Sequence, residues 1–166
     1  MFEISEQAAA LWELGSWVVT VVGLPFAIAV FLHEQRKERD NEDEAAYQSL
    51  SDAYTDFLKV VLDNADLRLR SGDGAEPRTP EQRERALVIH EMLVALFERA
   101  YIVAYQPDMG AEQARRWNSW SDFMREWCRR ADFRAALLTL LRGEDPAFVA
   151  YIERIAAEET RRGGDG

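Results

Sequence analysis

Apolar residues are distributed along this chain in two ways. From Leu14 to Leu32 the sequence reads LGSWVVTVVGLPFAIAVFL, a run with no formal charge on any helical face. Beyond Leu32 the apolar residues recur at spacings of three and four, as on one side of an amphipathic helix. The uncharged run makes about 28 Å of helix, close to the roughly 30 Å hydrocarbon thickness of a bilayer. Glu13 bounds it on one side and His33, Glu34, Arg36, Lys37 and Arg39 on the other. Trp12 and Trp17 lie near its start, where indoles favour the headgroup level. Residues 14–32 are therefore expected to form a transmembrane helix, preceded by a short extracytoplasmic tail over residues 1–13.

Two rival readings are weaker. A cleaved signal peptide carries positive charge ahead of its apolar run, where this chain has Glu3, Glu6 and Glu13. Ala27-Ile28-Ala29 has the look of a cleavage site but lies inside the run. A buried core helix is rarely apolar on all sides over such a length. The basic residues Arg36, Lys37 and Arg39 follow the span, so the positive-inside bias puts the N-terminus outside and the rest in the cytoplasm. Pro25 removes a backbone hydrogen bond in mid-span and is expected to bend the helix. Ser16 with Thr20, and Gly23 with Ala27, are small-residue pairs four apart and offer a face for self-association of spans.

From residue 33 to about 160 the pattern predicts a cytoplasmic bundle of four to five helices. His33–Glu44 has neither Gly nor Pro and alternates in charge, the character of a solvated continuation of the span. Tyr47, Leu50, Tyr54, Phe57 and Val61 then form an apolar seam, ended by Asp63-Asn64-Ala65-Asp66. The stretch SGDGAEPRTP is a loop by composition. Thr79-Pro80-Glu81-Gln82 is a helix start, with Thr79 as cap, Pro80 at the first position and Gln82 able to reach back. That helix runs to about Tyr105. Leu87, Leu93, Phe97, Tyr101 and Ala104 mark one face and Val88, Met92, Leu96 and Val103 another, which predicts a place in the middle of the bundle. A third helix spans about Gly110 to Arg130, with Trp117, Trp120, Met124, Trp127 and Ala131 on one stripe. Asp132 is expected to cap a short helix over Phe133–Arg142, and Asp145-Pro146 to start a last one carrying Phe148, Tyr151, Ile152 and Ile155. Residues 161–166 read as a disordered tail. No segment reads as a strand, so the fold class is all-α.

The succession Tyr47…Leu50…Tyr54…Phe57-Leu58, Asp66-Leu67, Leu96-Phe97-Glu98-Arg99-Ala100-Tyr101, Trp117…Trp120…Trp127, Phe133 and Asp145-Pro146-Ala147-Phe148…Tyr151-Ile152 resembles a group of small, uncharacterised bacterial single-pass membrane proteins. These pair an N-terminal membrane helix with a cytoplasmic all-helical domain. The matching residues are packing residues, so the resemblance implies an architecture alone and no activity; the span and the bases after it give the expected location, the bacterial inner (plasma) membrane.

Composition narrows the chemistry. The formal net charge of -10 disfavours nucleic acid, whose binding needs a basic surface. One cysteine, Cys128, excludes an internal disulfide and suits a reducing compartment. Eighteen arginines beside two lysines point to a GC-rich genome. His90-Glu91 lacks the second histidine of a zinc-protease helix, since position 94 is Val. His90 falls in register with the packed face and is expected as a core histidine bonded to a carboxylate or a tyrosine. Glu98, on the most apolar helix, needs a partner. Arg125, Arg129 and Arg130 are candidates, and a buried Glu98–Arg125 ion pair is the preferred expectation. Asp63 and Asp66 lack the glycine spacing of a calcium loop and are expected to cap or face water. Arg115, Arg116, Arg125, Arg129 and Arg130 lie largely opposite the tryptophan stripe and form a candidate face for an acidic partner or an anion. Cys128, beside Arg129 and Arg130, has neighbours that would lower its pKa, but no histidine base lies near it in sequence.

No residue is assigned as catalytic, cofactor-binding or metal-binding. The expected function is a membrane-tethered, non-enzymatic interaction or sensor module with a protein partner and possible homo-oligomerisation. The alternative is a small membrane effector, of the antiviral-defence kind, whose spans associate and perturb the bilayer when the domain senses a ligand.

Overall fold

The computed structural model describes residues 24–71, 74 and 76–164. They form five α-helices: α1 (Leu24–Asp63), α2 (Pro80–Ala104), α3 (Ala111–Cys128), α4 (Ala131–Leu140) and α5 (Pro146–Gly164), with a 3-10 turn η1 (Ala65–Leu67) after α1. No strand occurs among the described residues. The all-α class is thus established.

The chain divides into two compact units at Ala45–Ala46. In the first, α1 is unbroken through the charged stretch after Leu32, and Val30, Phe31 and Leu32 are exposed. The expected span begins at Leu14, and its first ten residues lie outside the described part. So do Ser16, Thr20 and Gly23 of the proposed self-association face, while Ala27 lies within α1. Among the described residues no helix is long and apolar enough to cross a membrane.

The second unit is the bundle, and its helix boundaries follow from local chemistry. At α2 the Thr79 hydroxyl accepts from the Gln82 N–H (3.2 Å), and the Gln82 side chain accepts from the Thr79 N–H (3.0 Å). This reciprocal cap, with Pro80 at the first position, satisfies donors the helix cannot satisfy itself. At α5 the Asp145 carboxylate accepts from the Ala147 and Phe148 N–H groups, both at 2.9 Å. Asp132 departs from expectation. Helix α4 starts at Ala131 with Arg130 as its extended N-cap residue, and Asp132 lies inside the first turn. The last helix also outruns its expected end, continuing through Arg161 and Arg162 to Gly164, where two cations complement the negative end of the helix dipole.

Helix α2 packs against α3, α4 and α5, and α3 against α5. The core is built on aromatics from every helix of the unit. Leu50, Tyr54, Phe57 and Val61 of α1 are buried, as the seam predicts. Tyr54 stacks on Phe123 (4.3 Å) and meets Trp120 edge-on (5.8 Å), and Phe57 meets Trp127 edge-on (5.6 Å). Phe97, Met124, Phe133, Phe148 and Ile152 are fully enclosed. The Trp117 indole donates to the Tyr151 hydroxyl (3.0 Å), which satisfies the one polar atom that burying a tryptophan brings inside. The second apolar face of α2 is covered only in part, Leu96 being buried. Val88, Met92 and Val103 face solvent, so this helix is central on one side and open on the other.

Candidate functional site

Three polar assemblies lie within the bundle unit, and each uses charge to hold elements together. The most enclosed is centred on Asp132. Arg78, at the end of the loop before α2, donates to its carboxylate (2.7 Å) and to the Leu67 carbonyl (2.9 Å). Arg130 donates to both carboxylate oxygens (3.1 and 2.9 Å) and to the Arg68 carbonyl (3.2 Å). Burial acts to raise the Asp132 pKa, but the Arg130 and Arg78 hydrogen bonds prevail and hold it below the usual carboxylate range. Gly74 closes over this group with φ +86°, and a Cβ at that position would run into the Asp132 carboxylate.

His90 lies close to this assembly. Its ring sits edge-on to Phe133 (5.3 Å) and Trp127 (6.3 Å), and only 2 % of the residue is exposed. Burial is the main force that depresses its pKa to about 4, with Arg130 and Arg78 adding to it and Asp132 opposing. The imidazole is therefore neutral at pH 7. It is a core histidine, as its register predicts, but the expected carboxylate or tyrosine bond is not made at Nε2, which has no hydrogen-bond partner among the described residues.

The second assembly replaces the expected anion-binding face. Arg125 pairs with Glu158 (2.7 Å) and Glu159 (3.1 Å) on α5, and Arg129 with Glu159 (3.2 Å). Arg162 adds a third guanidinium to Glu159 (2.8 Å), whose side chain is almost wholly buried. Burial works against the Glu159 charge, and Arg125 and Arg129 more than offset it, so its pKa lies below the ordinary value. Arg116 bonds to Glu112 (3.1 Å) and covers the Tyr47 ring, and Arg130 belongs to the Asp132 group. Of the five candidates, Arg115 and Arg129 are exposed, and Arg115 makes no ion pair among the described residues. The charges that would have drawn an anion are largely neutralised from within, because helical spacing shows which side of α3 they occupy but not that α5 brings carboxylates to meet them. Beside them Cys128 is fully buried, and burial pushes its thiol up to about 12, opposite to the lowering its arginine neighbours suggest.

The third assembly corrects the expected Glu98–Arg125 pair. Glu98 instead accepts from the Asp145 N–H (2.5 Å), which ties α2 to the start of α5. The neighbouring Glu98 carboxyl, then burial and the charge of Glu91, raise the Glu144 pKa to about 7. Glu144 therefore keeps its proton to a higher pH than an ordinary carboxyl. Asp66, for its part, is bonded to Arg85 (2.6 Å) and Gln82 (3.2 Å), an arrangement for positioning η1 against α2.

The remaining surface feature is apolar. Along the outer side of α2, Val88, Met92, Ile102 and Val103 are 43–61 % exposed, with Ala95 between them and Glu91 and Arg99 beside it. Leu87 borders this stripe. Scattered exposed apolar residues are ordinary, and several along one side of a helix make this side a candidate interaction surface. No family model, curated protein or solved structure matches the chain.

Proposed function

We propose that this protein is a membrane-tethered, non-enzymatic interaction module, anchored through residues 14–32 and presenting its helical bundle to the cytoplasm. The observation that carries the interaction part is the solvent-facing apolar stripe of α2 on an otherwise well-packed bundle. Neighbouring chemistry supports a non-enzymatic reading. The thiol of Cys128 is enclosed and held protonated, the His90 imidazole is walled in by aromatics, and the buried carboxylates Asp132 and Glu159 are committed to arginines. The uncharged run Leu14–Leu32 and the bases after it support the anchor and its orientation.

The reading is tested on the full chain in bacterial cells. It expects the protein to stay with membranes through alkaline carbonate washing and to be released when Val19→Arg and Val21→Arg interrupt the run. A C-terminal green fluorescent protein should fluoresce, and a C-terminal alkaline phosphatase should be inactive. Recovery of the intact protein in the soluble fraction would reject the anchor, and an active phosphatase would reject the orientation.

A further inference from the structure

The outer stripe of α2 is close to symmetric about one position, Met92 being the exception, since its mirror position is Glu98. Its centre is Ala95, the smallest side chain on that side, which lets another backbone come close. Counting outward from it by four gives Glu91 one way and Arg99 the other. Counting by seven gives Val88 and Ile102, and by eight gives Leu87 and Val103. All of these except Ala95 and the two charges are among the exposed large apolar side chains, and Glu91 and Arg99 are themselves exposed. At about 100° per residue, Val88 and Ile102 lie about 20° from the line through Ala95, and Glu91 and Arg99 about 40° from it. Neither Glu91 nor Arg99 has an ion-pair partner among the described residues, whereas most arginines of the bundle are paired.

A two-fold axis through Ala95 would set two such helices antiparallel. It would bring Val88 level with the second copy's Ile102 and Glu91 level with its Arg99, twice over, while Leu87 and Val103 lie on the flanks of the contact. Isologous contacts require this kind of self-complementarity, in which residue i meets j and j meets i. A different partner would have no need of it.

We infer that the outer face of α2 pairs with the same face of a second copy, antiparallel, about a two-fold axis at Ala95. This rests on the stripe being a contact surface, as proposed above, and does not depend on the membrane anchor. One helix stripe is smaller than the about 800 Å² per partner of a standard interface, so the pairing is weak and exchanging, and covalent trapping is the suitable assay.

The test uses the full chain with single cysteines at these exposed positions. The native Cys128 does not interfere, because it is buried. Under mild oxidation Ala95→Cys should give a disulfide dimer. Val88→Cys and Ile102→Cys should each crosslink poorly alone, because identical positions are about 21 Å apart along an antiparallel pair. Mixed together, the two should crosslink several-fold more. Glu91→Arg or Arg99→Glu should each suppress the Ala95→Cys dimer, and mixing these two charge variants should restore it as a heterodimer.

Efficient crosslinking of Val88→Cys to itself would overturn the antiparallel register. Failure of the charge variants to rescue one another would overturn the two-fold pairing. A photocrosslinking residue at position 92 separates this proposal from the broader one. Capture only of a different protein overturns self-pairing and keeps the interaction reading, and capture of nothing removes both.

Discussion

Replacing Asp132 by Asn would remove one negative charge and little volume from the most enclosed polar group of the bundle. Two guanidiniums, whose side chains are 10 % and 6 % exposed, would then share a site without a counter-charge. Breaking a buried pair from one side costs about 3 to 5 kcal/mol, because the stranded charge stays desolvated. Arg78 and Arg130 would keep their bonds to the Leu67 and Arg68 carbonyls, and the amide oxygen of Asn would accept one more. We therefore expect a loss of about 3 kcal/mol, the lower end of that range. Urea unfolding of the full chain, followed by tryptophan fluorescence, reads it directly, since Trp127 lies 6.0 Å from Phe133 in the turn after Asp132. The acid limb supplies a second reading. The Asp132 pKa is lowered in the folded state, so its stabilisation is present above the unfolded carboxyl pKa and is lost as pH falls through the folded one. In the Asn variant that part of the acid-induced loss should vanish. A stability within about 1 kcal/mol of wild type, with an unchanged acid limb, would show that the guanidiniums do not depend on this carboxylate.

Other expectations follow from the same geometry. Glu144 is raised in the folded state to about 7, so stability should fall as pH climbs from the unfolded carboxyl value through 7, and Glu144→Gln should flatten that slope in pH-dependent melting. Cys128 should resist a maleimide in the folded protein and react fully in denaturant, and rapid labelling of the native state would contradict its enclosure. Phe97→Ala should cost about 3 to 5 kcal/mol in the same urea assay, since the ring is fully buried on a helix that packs against three others.

The sequence makes some of this plain and hides the rest for definable reasons. Helix starts are legible at Thr79 and Asp145 because a cap is a transaction among neighbours, and the Leu50–Val61 seam because burial repeats with the helix. Partners far apart along the chain are not legible. Asp132 carries the sequence sign of a cap, yet one of its clamps is Arg78, 54 positions earlier. Arg125 sits where a solvated arginine would, and the carboxylates that take it arrive from α5, 33 and 34 positions later. Glu98 reads as a carboxylate in need of a cation, and it takes a backbone N–H instead. Periodicity likewise does not tell that the Val88–Val103 side of α2 is open, because an exposed apolar face has the same spacing as one packed on the core.

The inward use of arginine has an effect beyond the bundle. Ion pairs such as Arg78–Asp132 and Arg125–Glu158 cancel within the molecule, so the negative excess of the chain, formally -10, rests on its remaining charged groups. At a distance the protein presents a negative potential, which slows the approach of acidic partners and of its own copies alike. Two of these molecules must cross that long-range repulsion before Glu91 and Arg99 come within reach. Added salt screens the repulsion over tens of ångströms more than it weakens two close contacts. Self-pairing through α2 should accordingly strengthen as ionic strength rises, the reverse of what a charge-steered encounter does.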